Sequence, residues 1–69
     1  MNKFCQRLKE LRREKQLSQK EVGDLTGVGQ SSISAWERGE REPLAHQLIV
    51  LAAFFNCSVD YLLGLTDNK

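Results

Sequence analysis

Between Gly29 and Gly39 the chain reads QSSISAWER, in which the neutral residues Gln30, Ser31, Ser32, Ser34 and Ala35 surround one apolar pair, Ile33 and Trp36, spaced three apart. Two kinds of chemistry are open to such a set. Three serines invite a nucleophile, but an activated serine needs a general base within hydrogen-bond reach. The only histidine, His46, lies elsewhere and has no aspartate paired to it, so no enzymatic activity is expected. The other chemistry is recognition by hydrogen bonds. A helix face that only had to be soluble would carry Lys and Glu; short uncharged groups suit a surface that meets something closely, the plain alternative being an indifferent solvent face. Metal chemistry is not expected: Cys5 and Cys57 lie far apart, there is no C-x-x-C, and with His46 they leave a zinc ion one ligand short. The two thiols are read as reduced, partly buried small hydrophobes, and no cofactor is implied.

The elements that must hold this stretch are few. At 69 residues the chain is read as one domain, residues 1–69, and a domain this small buries only about 60% of its unfolded surface. Its 41% hydrophobic and 28% charged residues, without a low-complexity run, are those of a folded protein. The longest apolar run, LIVLAAFF from Leu48 to Phe55, is far short of the roughly 20 residues a membrane span requires. The charged N-terminus has no apolar signal segment, so a cytoplasmic location without membrane attachment is expected. Net charge is only +1, yet residues 1–20 hold seven basic against two acidic side chains and residues 21–69 three against seven. One end is therefore positive, which favours phosphate, although a charge run is as readily a solvated helix face.

Apolar periodicity predicts five helices and no strand. Phe4, Leu8 and Leu11 mark a first helix over about Lys3 to Lys15, with Gln6, Arg7, Lys9, Glu10 and Arg13 assigned to its outer side. Ser18 followed by Glu21 is a capping box that starts a second helix at Gln19. That helix turns inward Val22 and either Leu25 or Thr26, and it ends at Gly27. The third runs from Gln30 to Arg38, anchored by Ile33 and Trp36. The fourth, about Ala45 to Phe55, places Leu48, Leu51, Ala52 and Phe55 on one face and Val50, Ala53 and Phe54 on the other. Asn56 closes it, Ser58 caps the next, and Val59, Leu62, Leu63 and Leu65 form a short fifth. Thr66 to Lys69 are expected to be a loose tail.

Two short helices joined by a tight turn beginning at a glycine, about residues 18–38, are a helix-turn-helix, whose second helix projects outward. With Leu17-Ser18-Gln19, Glu21, Val22, Gly27-Val28, Ser31-Ser32-Ile33-Ser34 and Glu37-Arg38-Gly39 in place, the chain resembles the Cro/phage-repressor (XRE) family of DNA-binding proteins. The flanks RLKELRREKQLSQ and NCSVDYLLGLTD resemble that family's first helix and ending. The resemblance implies an all-α, five-helix lambda-repressor-like domain of bacterial or phage type, associated with the nucleoid. Its partner would be double-stranded operator DNA, entered at the major groove by the third helix.

Carried over residue by residue, Gln30, Ser31, Ser34 and Ala35 would face base edges, with glutamine suited to adenine and alanine to a thymine methyl. Gln19 would hold a phosphate at the N-terminus of the second helix, where amides attract anions. Ser18, Ser32, Arg38 and Arg41 are further candidates for backbone contacts. The family's ion pair between first and third helices maps onto Arg12 and Glu37. Gly23 stands where alanine is usual and Gly29 where a serine or threonine cap is usual, and Glu40 and Glu42 put acid beside Arg38 and Arg41. The implied function is a transcriptional regulator, a repressor acting as a homodimer on a pseudo-palindromic operator. The dimer surface expected for it is Val50, Phe54, Tyr61, Leu63 and Leu65. A protein-binding module or antitoxin, whose main partner is another protein, would look the same at this level.

Overall fold

Short-range end signals set the helix boundaries. The structure, a computed structural model describing residues 3–69, contains α1 (Phe4–Glu14), α2 (Gln19–Thr26), α3 (Gln30–Glu37), α4 (Ala45–Phe55) and α5 (Val59–Leu63). The Ser18 hydroxyl accepts from the Glu21 N–H at 3.0 Å while the Glu21 carboxylate accepts from the Ser18 N–H at 2.8 Å, so the start of α2 is satisfied from both sides. Ser58 repeats half of this at α5, accepting from the Tyr61 N–H at 2.9 Å. Asn56 closes α4 in the left-handed conformation, which asparagine tolerates better than most residues.

Phe4, Leu8 and Leu11 of α1, Val22 of α2, Ile33 and Trp36 of α3, Leu51, Ala52 and Phe55 of α4 and Leu62 of α5 form the core. Phe4 meets Trp36 edge to face at 6.2 Å between ring centres. α2 packs on α3, α1 bridges α3 and α5, and α4 closes against α5 and α2. The domain thus has α3 held from two sides, with one side left over.

The packing settles one open alternative and corrects three readings. Thr26, not Leu25, turns inward: its hydroxyl donates to the Val22 carbonyl at 2.7 Å, whereas Leu25 is 63% exposed. Arg7 is buried rather than outward. Its guanidinium donates to the Tyr61 and Thr66 carbonyls at 2.9 and 3.1 Å and to Asp67 at 2.7 Å, and it lies 3.9 Å from the centre of the Tyr61 ring. It therefore gives a second donor to the Tyr61 carbonyl at the end of α5, which the N–H of the left-handed Gly64 also bonds, at 3.0 Å. The same contacts mean that residues 66–69 are tied down rather than loose. Ser58 N–H donates to the Lys69 carbonyl at 3.0 Å, and the Lys69 ammonium pairs with Glu14 at 3.0 Å. Finally, Leu65 lies beyond the end of α5, with its N–H on the Asp60 carbonyl.

Candidate nucleic-acid interface

The turn between α2 and α3 is made by glycine for two separate reasons. A Cβ on Gly23 would sit 2.5 Å from both the Gln30 nitrogen and the Gly29 carbonyl carbon, so the first turn of α3 lies directly on the α2 backbone. Gly29, the residue before α3, has φ +90° and ψ 150°, a conformation essentially restricted to glycine. Its N–H and that of Gly27 both bond the Gly23 carbonyl, at 3.1 and 3.0 Å. By helix propensity and capping alone these two glycines would be small losses; in the fold they are what allows α3 to begin so close to α2.

From that start α3 presents two different faces. Ile33 and Trp36 are buried, and Gln30 and Ser31 are exposed. No side chain caps the N-terminus of α3, so its first-turn N–H groups remain without an intrahelical partner. Ser32 and Ser34 are half-buried, and each oxygen already accepts one bond, from Arg41 at 3.1 Å and from Arg38 respectively. Ala35 departs from expectation: it is 7% exposed and belongs to the packed side of the helix. A side chain one carbon long cannot clear its neighbours on a helix packed on two sides. The chain also turns back at Gly39, so that the Glu40 N–H bonds the Ala35 carbonyl at 3.0 Å. Ala35 is therefore removed from the base-reading set.

Behind the exposed face runs a charged network. Arg12 donates through Nε and Nη2 to the two Glu37 oxygens at 2.6 and 3.0 Å, and through Nη1 to the Leu17 carbonyl at 2.9 Å. The Glu37 side chain is only 2% exposed. Burial by itself pushes its carboxyl up, but the hydrogen bonds from Arg12 and Gln19, with the Arg12 charge, outweigh it and hold the group below the ordinary glutamate value. The Gln19 bond to Glu37, at 3.0 Å, was not legible in the sequence. It uses one amide proton and leaves the second, with the amide oxygen, at the N-terminus of α2. Gln19, Glu37 and Arg12 thus join the first turn of α2 to the end of α3 and the last turn of α1.

The helix-turn-helix profile matches residues 8–62. The chain belongs to the Cro/phage-repressor (XRE) helix-turn-helix family. This is a family of DNA-binding transcription regulators, not of enzymes. The chain is 37% identical over 65 residues to the uncharacterized HTH-type transcriptional regulator YobD of Bacillus subtilis strain 168, covering 94% of this chain and 58% of that one. Its backbone is similar to that of the P22 c2 repressor protein in complex with a synthetic operator, with TM-score 0.83, 37% identity, and coverage of 87% of this chain and 91% of that one. The restriction-modification controller protein C.AhdI from Aeromonas hydrophila is similar too, with TM-score 0.79, 37% identity and 87% coverage of each chain. The present chain spans only part of the curated relatives it matches, from 27% to 60% of their length.

Relative to this XRE frame, the apolar side chains expected at a dimer surface divide into two groups. Val50 and Leu65 are exposed, at 37% and 72%. Phe54, Tyr61 and Leu63 are half-buried against the core, and the Tyr61 ring is covered by the Arg7 guanidinium. Ile49, at 62% exposed, was not singled out by sequence reasoning. Its spacing was the available signal, for it lies three residues after His46 and four before Ala53, and two before the buried Leu51, which puts it across the helix from that side chain. Cys5 and Cys57 are free and half-buried, and burial pushes the Cys57 thiol up, away from reactivity. Among the described residues no cluster of His, Cys, Asp and Glu could hold a metal ion, and no helix is long and apolar enough to cross a membrane.

Proposed function

We propose that this domain binds double-stranded DNA sequence-specifically and regulates transcription, with α3 in the major groove. The supporting observation is the division of α3: Ile33 and Trp36 are sealed inside while Gln30 and Ser31 stand in solvent on a helix that carries no charge before Glu37. Gln30 and Ser31, with Ser34 beside them, then face base edges. Gln19, Ser18, Ser32 and Arg41 face the phosphates, helped by the uncapped amides of α3. That the P22 c2 repressor structure holds an operator supports the same reading. Such a domain works on a nucleoid, in a bacterial or phage-infected cytoplasm.

Few side chains read bases, so one copy discriminates weakly. A homodimer acting as a repressor on a pseudo-palindromic operator, with half-sites about 34 Å apart, gives two readings of the same code. Ile49, Val50 and Leu65 offer the exposed apolar surface for it. Sedimentation equilibrium of the wild type and of an Ile49→Glu, Val50→Glu variant tests this. A concentration-dependent dimer that the double variant abolishes is expected; a wild type that stays monomeric at high micromolar concentration removes the dimer.

Selection of bound sites from random duplexes, followed by titration at several salt concentrations, tests the DNA reading. Gln30→Ala is expected to leave phosphate-driven affinity nearly intact while relaxing one base position by about 1–3 kcal/mol. An unselective wild type that shows no salt dependence would sink the proposal, and the protein-binding alternative would then stand.

A further inference from the structure

We infer that Arg38 reads a guanine in the major groove, and that Ser34 and Glu40 are the residues that aim it. This rests on the docking proposed above, with α3 as the reading helix. Arg38 lies just past the end of α3, where a long basic side chain would ordinarily reach a phosphate. Its guanidinium instead folds back along the helix. Nη1 donates to the Ser34 hydroxyl, four residues earlier, and Nη2 pairs with Glu40 at 2.9 Å. Helical side chains lean toward the N-terminal turn, and here the lean brings the charged group about one turn, roughly 5.4 Å, back along the helix. It comes to rest in line with Gln30 and Ser34, since positions 30, 34 and 38 share one face at four-residue steps. The cation therefore sits beside Ser34, on the stripe that begins at Gln30.

The Glu40 carboxylate decides what this cation can bind. A phosphate approaching Arg38 would bring a full negative charge toward a carboxylate already beside the guanidinium, which opposes it. Guanine presents two acceptors, O6 and N7, with no net charge, and matches the planar fork that arginine keeps rigid. Arg38 and Glu40 side chains are 54% and 58% exposed, so the pair is accessible to a duplex. In water it is weakly held; excluding water against DNA strengthens it, and the spare N–H groups of the fork remain free to donate. Arg41 is the contrast. Among the described residues it has no ion-pair partner, and its guanidinium reaches only the Ser32 hydroxyl at 3.1 Å, which leaves its charge for the backbone.

The test uses the whole chain. Sites are selected from random duplexes by the wild type, Arg38→Ala, Glu40→Gln and Gln30→Ala, with circular dichroism confirming that each is folded, and the salt dependence of affinity is measured on the wild-type site. Arg38→Ala is expected to erase a guanine preference at one position, lowering discrimination there roughly tenfold to a hundredfold, with little change in the slope of affinity against salt. Glu40→Gln is expected to loosen that guanine preference, because the carboxylate that aims the fork is gone, and to steepen the slope, because a negative charge facing the duplex is removed. If Arg38→Ala weakens all sites alike and reduces the slope by about one, Arg38 is a phosphate contact and the inference is overturned, while a base change caused by Gln30→Ala would leave the DNA reading standing. A wild type that selects no site at all overturns both.

Discussion

Replacing Arg12 with alanine is expected to lower the stability of this domain by about 3 kcal/mol, the range for removing one member of a buried ion pair. The loss follows from what is left behind. The Glu37 side chain is 2% exposed, so without Arg12 its charge has only the Gln19 amide for a partner, and the Leu17 carbonyl loses its donor at the end of α1. At about 4–8 °C per kcal/mol for a domain of this size, thermal unfolding followed by circular dichroism should show a fall in Tm on the order of 15 °C. A fall of only a few degrees would mean that water replaces the arginine and that the pair does not hold α1 to α3. An Arg12→Met, Glu37→Leu double variant should recover much of the loss, because the cost lies in the stranded charge rather than in the missing attraction.

The same pair makes stability depend on pH. The Glu37 carboxyl titrates lower in the folded chain than in the unfolded one, so its contribution is fully present above the ordinary glutamate value and is lost as pH falls through the depressed folded value. Urea unfolding midpoints measured from neutral pH downward should fall more steeply for the wild type than for Glu37→Gln. Parallel curves for the two would place the acid sensitivity in other carboxylates.

The second large effect is expected at Gly23. Alanine there is the family's usual residue and, by helix propensity alone, would stabilise α2 by up to about 1 kcal/mol. In this fold the opposite sign is expected, a net loss on the order of 2 kcal/mol, because the new methyl would lie 2.5 Å from main-chain atoms of Gly29 and Gln30, which cannot swing aside as a side-chain tip would. The first turn of α3 must then move, and with it Gln30 and Ser31. Affinity for a selected DNA site should fall at least tenfold, even well below the unfolding temperature. A variant at least as stable as wild type would show that α3 can move away from α2 freely, and that Gly23 and the strained Gly29 are not a matched pair.

Much of the architecture was already visible in local chemistry. The capping box of Ser18 and Glu21, the left-handed closures at Gly27, Gly39 and Asn56, and the cap at Ser58 depend on residues within four or five positions, so a linear reading reaches them. The division of α3 was visible too, since a period of 3.6 residues separates Ile33 and Trp36 from Gln30 and Ser31 whatever else the chain does. Leu25 and Thr26 show where that reasoning stops. Both lie near the inner edge of α2, and only the packing of α2 against its neighbours leaves Leu25 63% exposed and Thr26 half-buried, its hydroxyl satisfied on the Val22 carbonyl. Ala35 is a related case, in which helix phase allowed exposure and the covering of the helix removed it.

Arg7 gives the clearest contrast between the two levels. By spacing it belongs with Phe4, Leu8 and Leu11 on the inner face of α1, yet its charge argued for the outer one. Nothing within reach along the chain could accept five N–H groups in the interior. The acceptors, the carbonyls of Tyr61 and Thr66 and the Asp67 carboxylate, lie more than 50 residues away in sequence and come beside Arg7 only once α5 has docked. Sequence alone therefore determined the five helices, the capped ends among their boundaries and the face of α3 that stays polar, because those depend on neighbours a turn away. Tertiary structure alone decided which polar and charged groups are buried and where Arg38 points, because a charge can enter a core, or fold back on its helix, only where distant parts of the chain bring it partners.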